Sequence, residues 1–452
     1  MDDGTIVAPA TPPGRAGIAV IRLSGADCQA IVGALFAPLP KAWQARKSVH
    51  GFIHSQGRRI DECLVTFFKG PRSYSGEDMA EISLHSNPFI IEEVVGLACR
   101  LGARPALPGE FTYRAFCNGK LDLLQAEAVN ALIRANSRLY ALMEFGNLEG
   151  RLSRLVGSIR ARLMQLAIVV ETEIEFAEDQ RLETATGDPG LAAAINDLEN
   201  ILSQSGFNDI LDRGMQIVIA GKVNVGKSSL FNALLLKERS IISHLPGTTR
   251  DYIQEKLHLD GLPFQITDMA GIRQAAGDDI EDQGMRRSLD LIEQADAVIF
   301  MVDASLPLQA GDHEIYRLID GKKRILLANK SDLALEPVVK SIRKTFPGET
   351  VHLISAKNGE NLQPVVDFLK GLWPDSGDPA MATVINLRQK SLLEKLLHTL
   401  REIGHMQAGP QAKAEVVAEE IRQALRLIGE LTGTIGPEEL LRGIFAQFCI
   451  GK

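Results

Sequence analysis

The sequence predicts a multidomain protein with mixed α/β and all-α parts, and three observations lead there. Short β-rich runs bounded by Gly, Pro and Ser occupy the N-terminal region. Long amphipathic helical patterns occur in two separate stretches. Between them lies a regular alternation of apolar strands and helices. Helices before and after an α/β block imply one helical domain with the block inserted into a loop, as is tolerated where an inserted domain's termini lie close together. The boundaries read as 1–118 for the N-terminal α/β domain, 119–213 and 374–452 for the two helical segments, and 214–373 for the inserted block.

In the first part, "GIAVIRL" (Gly17 to Leu23), "ECLVTFF" (Glu62 to Phe68) and "MAEISLH" (Met79 to His85) read as strands. "PFIIEEVVGLACRLG" reads as a helix stopped by Gly102. From Leu121 the texture becomes helical, in "LDLLQAEAVNALIRANS" and "RLSRLVGSIRARLMQLAIVVETEIEF". Leu152, Leu155, Val156, Ile159, Leu163 and Leu166 recur at steps of three and four and line one face. A third helix covers Leu191 to Leu202. "MQIVIA", "PFQITD", "AVIFMVD", "RILLAN" and "VHLIS" are near-continuous apolar strands, as a parallel sheet covered on both faces requires. After the linker "PDSGDP", Val417, Ile421, Leu425 and Ile428 share a face, and "GPEELLRGIF" begins another helix with Pro437 at its first turn.

The chain has 452 residues, 45% apolar and 23% charged, with a net charge of −8. That balance excludes a chain that coats nucleic acid by charge alone. Five cysteines without C-x-x-C spacing fit reduced thiols and offer no zinc site. No apolar run approaches the ~20 residues of a membrane span, and the start lacks a signal peptide's basic and apolar regions, so a cytoplasmic location is expected.

"GKVNVGKSS" (Gly221 to Ser229) matches G-x-x-x-x-G-K-[ST] between a strand and a helix, the context that motif demands. Its glycines let backbone N–H groups curl around phosphate, Lys227 neutralises the outer oxygens, and Ser228 offers a hydroxyl to Mg²⁺. Four further elements follow in order. "GTTRD" (Gly247 to Asp251) supplies a threonine for the metal shell, and "DMAG" (Asp268 to Gly271) a carboxylate and a γ-phosphate-sensing N–H. "NKSD" (Asn329 to Asp332) and "SAK" (Ser355 to Lys357) each follow a strand. The Asp332 carboxylate can accept from both N1–H and N2–H of guanine, donors that adenine lacks. The inserted block therefore reads as a Ras-like P-loop G domain selective for GTP.

Ras-like proteins orient the attacking water with a glutamine directly after D-x-x-G, but Ile272 stands there and polarises nothing. The first switch supplies no obvious arginine finger beyond Arg250, so either hydrolysis is very slow or the charge and the water-orienting group come from elsewhere. One such source is Asn224 in the phosphate loop, which would hold a monovalent cation in a finger's place, with carbonyls of "SHLPGTT" completing its shell. "GDDIEDQG" (Gly277 to Gly284) offers carboxylates, Glu281 among them, and equally reads as a solvated acidic loop. Arg151, Arg154, Arg160 and Arg162 read as a solvated helix face or as a local RNA contact, and His85 as a hydrogen-bonded strand histidine.

"GKVNVGKSSLFNAL", "PGTTRD", "NKSD", "PGEFTYRAFCNGKLDLLQAEAV" (Pro108 to Val129) and the two ends "TIVAPATPPGRAGIAVIRLSG" and "FCIGK" together resemble the MnmE (TrmE) family of bacterial tRNA-modification GTPases. The resemblance runs over essentially the whole chain, whereas the GTPase block alone would fit an Era- or Der-like ribosome-assembly switch equally well. It implies a homodimer joined by N-terminal domains that bind a tetrahydrofolate derivative, in a 5-formyl or methylene form. It also implies an MnmG (GidA)-like partner that carries FAD. With it, an aminomethyl or carboxymethylaminomethyl group is installed at C5 of the wobble uridine of certain tRNAs, and GTP hydrolysis depends on K⁺.

By motif match, the GTP contacts are Asn224, Val225, Gly226, Lys227, Ser228 and Ser229, then Ser243, His244, Leu245, Pro246, Gly247, Thr248 and Thr249. Asp268, Met269, Ala270 and Gly271, Asn329, Lys330, Ser331 and Asp332, and Ser355, Ala356 and Lys357 complete them. Asn224 would hold potassium with help near Ser243, Leu245 and Thr248, while Ser228 and Thr249 would hold Mg²⁺ and Glu281 would orient water. Arg22, Glu81 and Lys120 fall on the family's folate positions, with Lys452 at the rim. Without the resemblance these would be ordinary surface charges. Cys449 in "FCIGK" would stand near that pocket, as a nucleophile or as lining; a prenylation signal fits poorly with Lys452 in last place. Two departures stand out: Met269 replaces the family's usual threonine, and "HSNP" (His85 to Pro88) replaces its H-G-G.

Overall fold

The computed structural model describes residues 4–175, 188–203, 210, 213–237, 254–268, 290–373, 383–408 and 414–451. The chain forms two compact units. One takes Met1–Arg134, Glu144–Ser203 and Ile385–Lys452, and the other Ala135–Met143 and Gln204–Val384.

The first unit holds a seven-stranded sheet of β1 (Ile6–Pro9), β2 (Ala16–Ser24), β3 (Phe36–Ala37), β4 (Ser48–Ser55), β5 (Arg58–Phe68), β6 (Met79–Ser86) and β7 (Arg104–Pro105). Their order is β3-β4-β5-β6-β2-β1-β7, antiparallel throughout except for the parallel pair β1–β7. Side-chain alternation fixes the faces. Ala19, Ile21 and Leu23, Cys63, Val65 and Phe67, and Ala80, Ile82 and Leu84 pack inward with Ile31, Val32, Leu35, Val94 and Ala98 of helices Cys28–Leu35 and Pro88–Arg100. Alternation therefore sends Arg22 and Glu81 to the opposite face, where they are direct cross-strand partners. The "HSNP" departure starts the second of those helices: Asn87 accepts from the Phe89 N–H across 3.0 Å, and Pro88 is its first residue. That helix ends at Arg100, with Gly102 at φ +105° just beyond.

The helical part of this unit has one core. Leu152, Val156, Ile159, Leu163, Leu166 and Val170 of helix Arg151–Glu175 bury against helices Pro189–Ser203, Leu387–Ala408 and Ala414–Thr432. Leu155 and Leu425, on the expected stripes, pack at its margin. Segments from both sides of the insertion are thus joined by apolar burial, and Arg388 adds a bidentate pair to Glu127 at 2.7 Å on each oxygen.

The second unit is built on a six-stranded sheet of β8 (Met215–Gly221), β9 (Gln254–Leu259), β10 (Leu262–Asp268), β11 (Ala297–Asp303), β12 (Arg324–Asn329) and β13 (Val351–Leu353). The order is β13-β12-β11-β8-β10-β9; all pairs are parallel except β9, an antiparallel edge strand. Leu139, Tyr140 and Met143 of helix Arg138–Leu148 pack into its core. Among the described residues, no helix is long and apolar enough to cross a membrane.

Candidate functional site

The phosphate loop leaves β8 at Gly221 and enters helix Lys227–Lys237. Asn224 and Gly226 take positive φ, +63° and +100°, which turns successive backbone N–H groups inward. At Gly226 only hydrogen fits, because a Cβ would collide with the side-chain amide of Asn329. The buried Lys227 reaches back over the loop, donating from Nζ to the carbonyls of Gly221 (3.0 Å) and Lys222 (2.7 Å). Ser228 Oγ donates to Asp268 Oδ2 across 3.4 Å. A hydroxyl and a carboxylate this close are hard oxygen donors that suit one Mg²⁺ ion keeping several waters. Among the described residues no group of three His, Cys, Asp or Glu could hold a metal.

Asn329, buried at the end of β12, ties the loop to the next turn. Its Nδ2 donates to Val225 O at 2.7 Å, and its Oδ1 accepts from Ala356 N at 2.9 Å. Lys330 follows in the left-handed region at φ +65°, its Nζ bound to Asp303 Oδ2 at 2.5 Å. Ser331 N donates to Ile354 O at 2.9 Å. Ser355 Oγ donates to Asp332 Oδ1 at 2.9 Å, orienting the carboxylate that the sequence reading gives to guanine. One pocket of about 490 Å³ is lined by Asn224, Gly226, Lys227, Ser228, Ser229, Asp268, Asn329, Lys330, Asp332, Ser355 and Lys357. Four motifs scattered over more than a hundred residues therefore meet in one cavity. Ser243, His244, Leu245, Pro246, Gly247, Thr248, Thr249, Arg250, Met269, Ala270, Gly271, Glu281 and Lys452 lie outside the described residues.

A second pocket, of about 430 Å³, opens on the N-terminal sheet and is lined by Arg46, Phe68, Arg72, Ser73, Tyr74, Met79, Glu81 and Lys120. Of the three residues singled out there, Glu81 and Lys120 line the cavity. Arg22 acts through Glu81, donating from Nη2 at 2.7 Å and Nε at 3.0 Å to one carboxylate oxygen. Its guanidinium also lies over the rings of Tyr74 and Phe111. Burial pushes the Tyr74 phenol up, against the opposing pull of its Thr112 hydrogen bond and of Arg22. A carboxylate, three cations and an aromatic wall suit a heterocycle with N–H donors and an anionic tail, so the residues present fit a folate.

The C-terminal tail belongs to the same neighbourhood. Phe445 and Phe448 meet at a tilt of 44° with ring centroids 5.0 Å apart, and Phe445 packs on Tyr113 and Phe116. Cys449, exposed, accepts at its backbone oxygen from Gly109 N at 3.3 Å. Gly451, at φ +90°, sits against Pro9, and its carbonyl accepts from Arg22 Nη1 at 3.3 Å. The tail thereby meets Arg22, the partner of Glu81. His85, read as a strand histidine, bonds Asp61 Oδ1 through Nδ1 at 2.7 Å.

Sequence reasoning missed Arg46, Arg72, Tyr74, Asp303 and Ser305. Asp303 alone carried a signal, standing at the carboxyl end of an apolar strand, where ligand-facing residues of parallel sheets gather.

Comparison with known proteins separates the readings that the nucleotide pocket alone leaves open. The family model for the GTP-binding protein TrmE N-terminus matches residues 5–120, and that for the MnmE helical domain matches 123–449. The chain belongs to the MnmE family. A Thermotoga maritima MnmE relative is 39% identical over 454 residues, covering 99% of this chain and 100% of its own. MnmE relatives from Aquifex aeolicus (over 451 residues) and Pseudomonas aeruginosa (over 456) are each 36% identical, with 99% of both chains covered. All three carry the name tRNA modification GTPase MnmE. The MnmE helical match spans the whole insertion, as a domain interrupted by another requires.

Proposed function

We propose that this chain is a GTP hydrolase of tRNA modification. Membership of the MnmE family supports the process, and the pocket that unites Lys227, Ser228, Asp268, Asn329 and Asp332 supports the chemistry. In that pocket Asp332 selects guanine, Asn329 fixes the loop beneath the base, and Lys227 exchanges its two carbonyl partners for phosphate oxygens. Ser228 and Asp268 hold Mg²⁺, which neutralises charge on the phosphates when bound. With Ile272 in place of a water-orienting glutamine, Asn224, with Ser243, Leu245 and Thr248, would hold a K⁺ ion that would supply positive charge at the phosphates. By the motif match, Thr249 would join Ser228 in holding Mg²⁺ and Glu281 would orient the attacking water.

The chain works as a cytoplasmic homodimer with an MnmG (GidA)-like FAD protein. Glu81 and Lys120 would hold a tetrahydrofolate derivative that would supply one carbon; with a separate amine as the nitrogen source and the partner's FAD for the redox step, that carbon would become the methylene of a carboxymethylaminomethyl or aminomethyl group at C5 of the tRNA wobble uridine. Cys449 stands two residues before Gly451, whose carbonyl accepts from Arg22, and it would serve this pocket as a nucleophile or as lining. Nucleoside analysis of tRNA from cells lacking the gene tests the reading: loss of the C5 modification is expected, and fully modified wobble uridine would overturn it.

A further inference from the structure

We propose that Asp303 is a positioning residue for the guanine base, acting by anchoring Lys330 against the pocket wall. The proposal rests on the reading of that pocket as a guanine-nucleotide site.

Asp303 and Asn329 are register partners at the carboxyl ends of the adjacent parallel strands β11 and β12. Asn329 is spent on Val225 and Ala356. The next residue, Lys330, turns into the left-handed region at φ +65°, a conformation that non-glycine residues adopt at a cost and keep where their surroundings compel it. The compelling contact is ionic: Lys330 Nζ meets Asp303 Oδ2 at 2.5 Å, with Asp303 largely buried. Asp303 is itself clamped, because its Oδ1 accepts from Ser305 N at 2.8 Å and Ser305 Oγ at 2.5 Å. Burial alone would raise its pKa, yet Lys330 and Ser305 hold it below the ordinary carboxylate value, so the anchor stays charged. Lys330 lines the nucleotide cavity and Asp303 does not. With its ammonium fixed outside the cavity, the lysine presents its four-carbon stem to the ligand. An apolar stem over a planar base gains van der Waals contact without demanding a particular hydrogen-bond pattern. Asp332 is then left to read the base edge.

The test is Asp303→Asn in the full chain, measured by GTP and GDP affinity and by steady-state hydrolysis. Losing a charge-assisted anchor should weaken both nucleotides about tenfold and raise KM, with kcat at saturating GTP unchanged. In a Lys330→Met background the same substitution should change affinity less than twofold, since no ammonium remains to be anchored. Ser305→Ala, which removes one hydroxyl from the clamp, should act in the same direction but more weakly. An Asp303→Asn chain that binds GTP like wild type would overturn the proposal, as would an effect undiminished in the Lys330→Met background. Wild-type protein that bound ATP as well as GTP would remove the guanine reading itself.

Discussion

Asn329 donates its side-chain amide to the carbonyl of Val225 across 2.7 Å, and that one bond sets how closely the end of β12 approaches the phosphate loop. The approach is tight enough that Gly226, next to Val225, has no room for a side chain. Loop and base-reading turn are thus one object, and disturbing either disturbs both.

Gly226→Ala should therefore disable nucleotide binding rather than only the chemical step. A methyl there drives into the Asn329 amide and also strains a backbone at φ +100°. About 3 kcal/mol of affinity, or roughly a hundredfold, should be lost. Titration with a fluorescent GDP analogue measures it, and the far-UV spectrum should stay that of the folded chain.

Potassium dependence is the sharpest test of how hydrolysis is accelerated. Turnover in KCl should exceed that in NaCl of equal ionic strength, and Asn224→Ala should remove about a hundredfold of rate and the difference between the salts together. Equal rates in both salts for the wild-type chain would sink the cation reading while leaving GTP binding intact.

Glu110 gives a prediction in acid. It is fully buried and bound by Arg104 Nη2 at 2.6 Å, Arg114 Nη2 at 3.1 Å and Leu107 N at 2.9 Å. Burial pushes its pKa up, but these partners together hold it below the ordinary glutamate value. A carboxyl depressed in the folded state stabilises the fold fully above its unfolded value, and that stability drains away as pH falls through the folded one. Glu110→Gln should cost about 2–3 kcal/mol at neutral pH by weakening the charge-assisted bonds from Arg104 and Arg114, with Arg114 keeping its pair with Glu77. The gap to wild type in denaturant unfolding should close only below the ordinary carboxylate range.

The C-terminal tail offers a paired comparison. A Cβ on Gly451 would strike the Pro9 carbonyl oxygen, and its φ of +90° disfavours any other residue. Gly443, within helix Glu438–Phe445, has open space around it. Gly451→Ala should release the tail at a cost of about 1–3 kcal/mol and expose it to limited proteolysis. Gly443→Ala should be neutral or stabilising by about 0.5–1 kcal/mol.

Much of this architecture was legible because the chemistry repeats at fixed spacings. Strands β8, β10, β11 and β12 are apolar on both faces, so they stand out without context. β9, "QEKLHL", lies at a sheet edge with a polar character that hides it. β1 ends in Pro9 and is too short to show alternation. The helix Arg138–Leu148 is much less amphipathic than the helices on either side, so no apolar face announces that Leu139, Tyr140 and Met143 enter the core of the second unit. At the nucleotide site, Lys227 and Asp332 announce themselves by motif. Asp303 does not, because its role exists only when two strands align in register and a lysine turns left-handed. In the second pocket, Arg46 and Arg72 are isolated basic residues in loops until the fold gathers them.

Arg22 and the Gly451 carbonyl that it holds are separated by 429 positions along the chain. A ribosome emitting this polypeptide releases the arginine early and its carbonyl partner at the very end of the described chain. Throughout most of synthesis, then, the nascent sheet must hold that guanidinium with Glu81 and the rings of Tyr74 and Phe111, and the support of the Gly451 carbonyl arrives only once residue 451 has emerged.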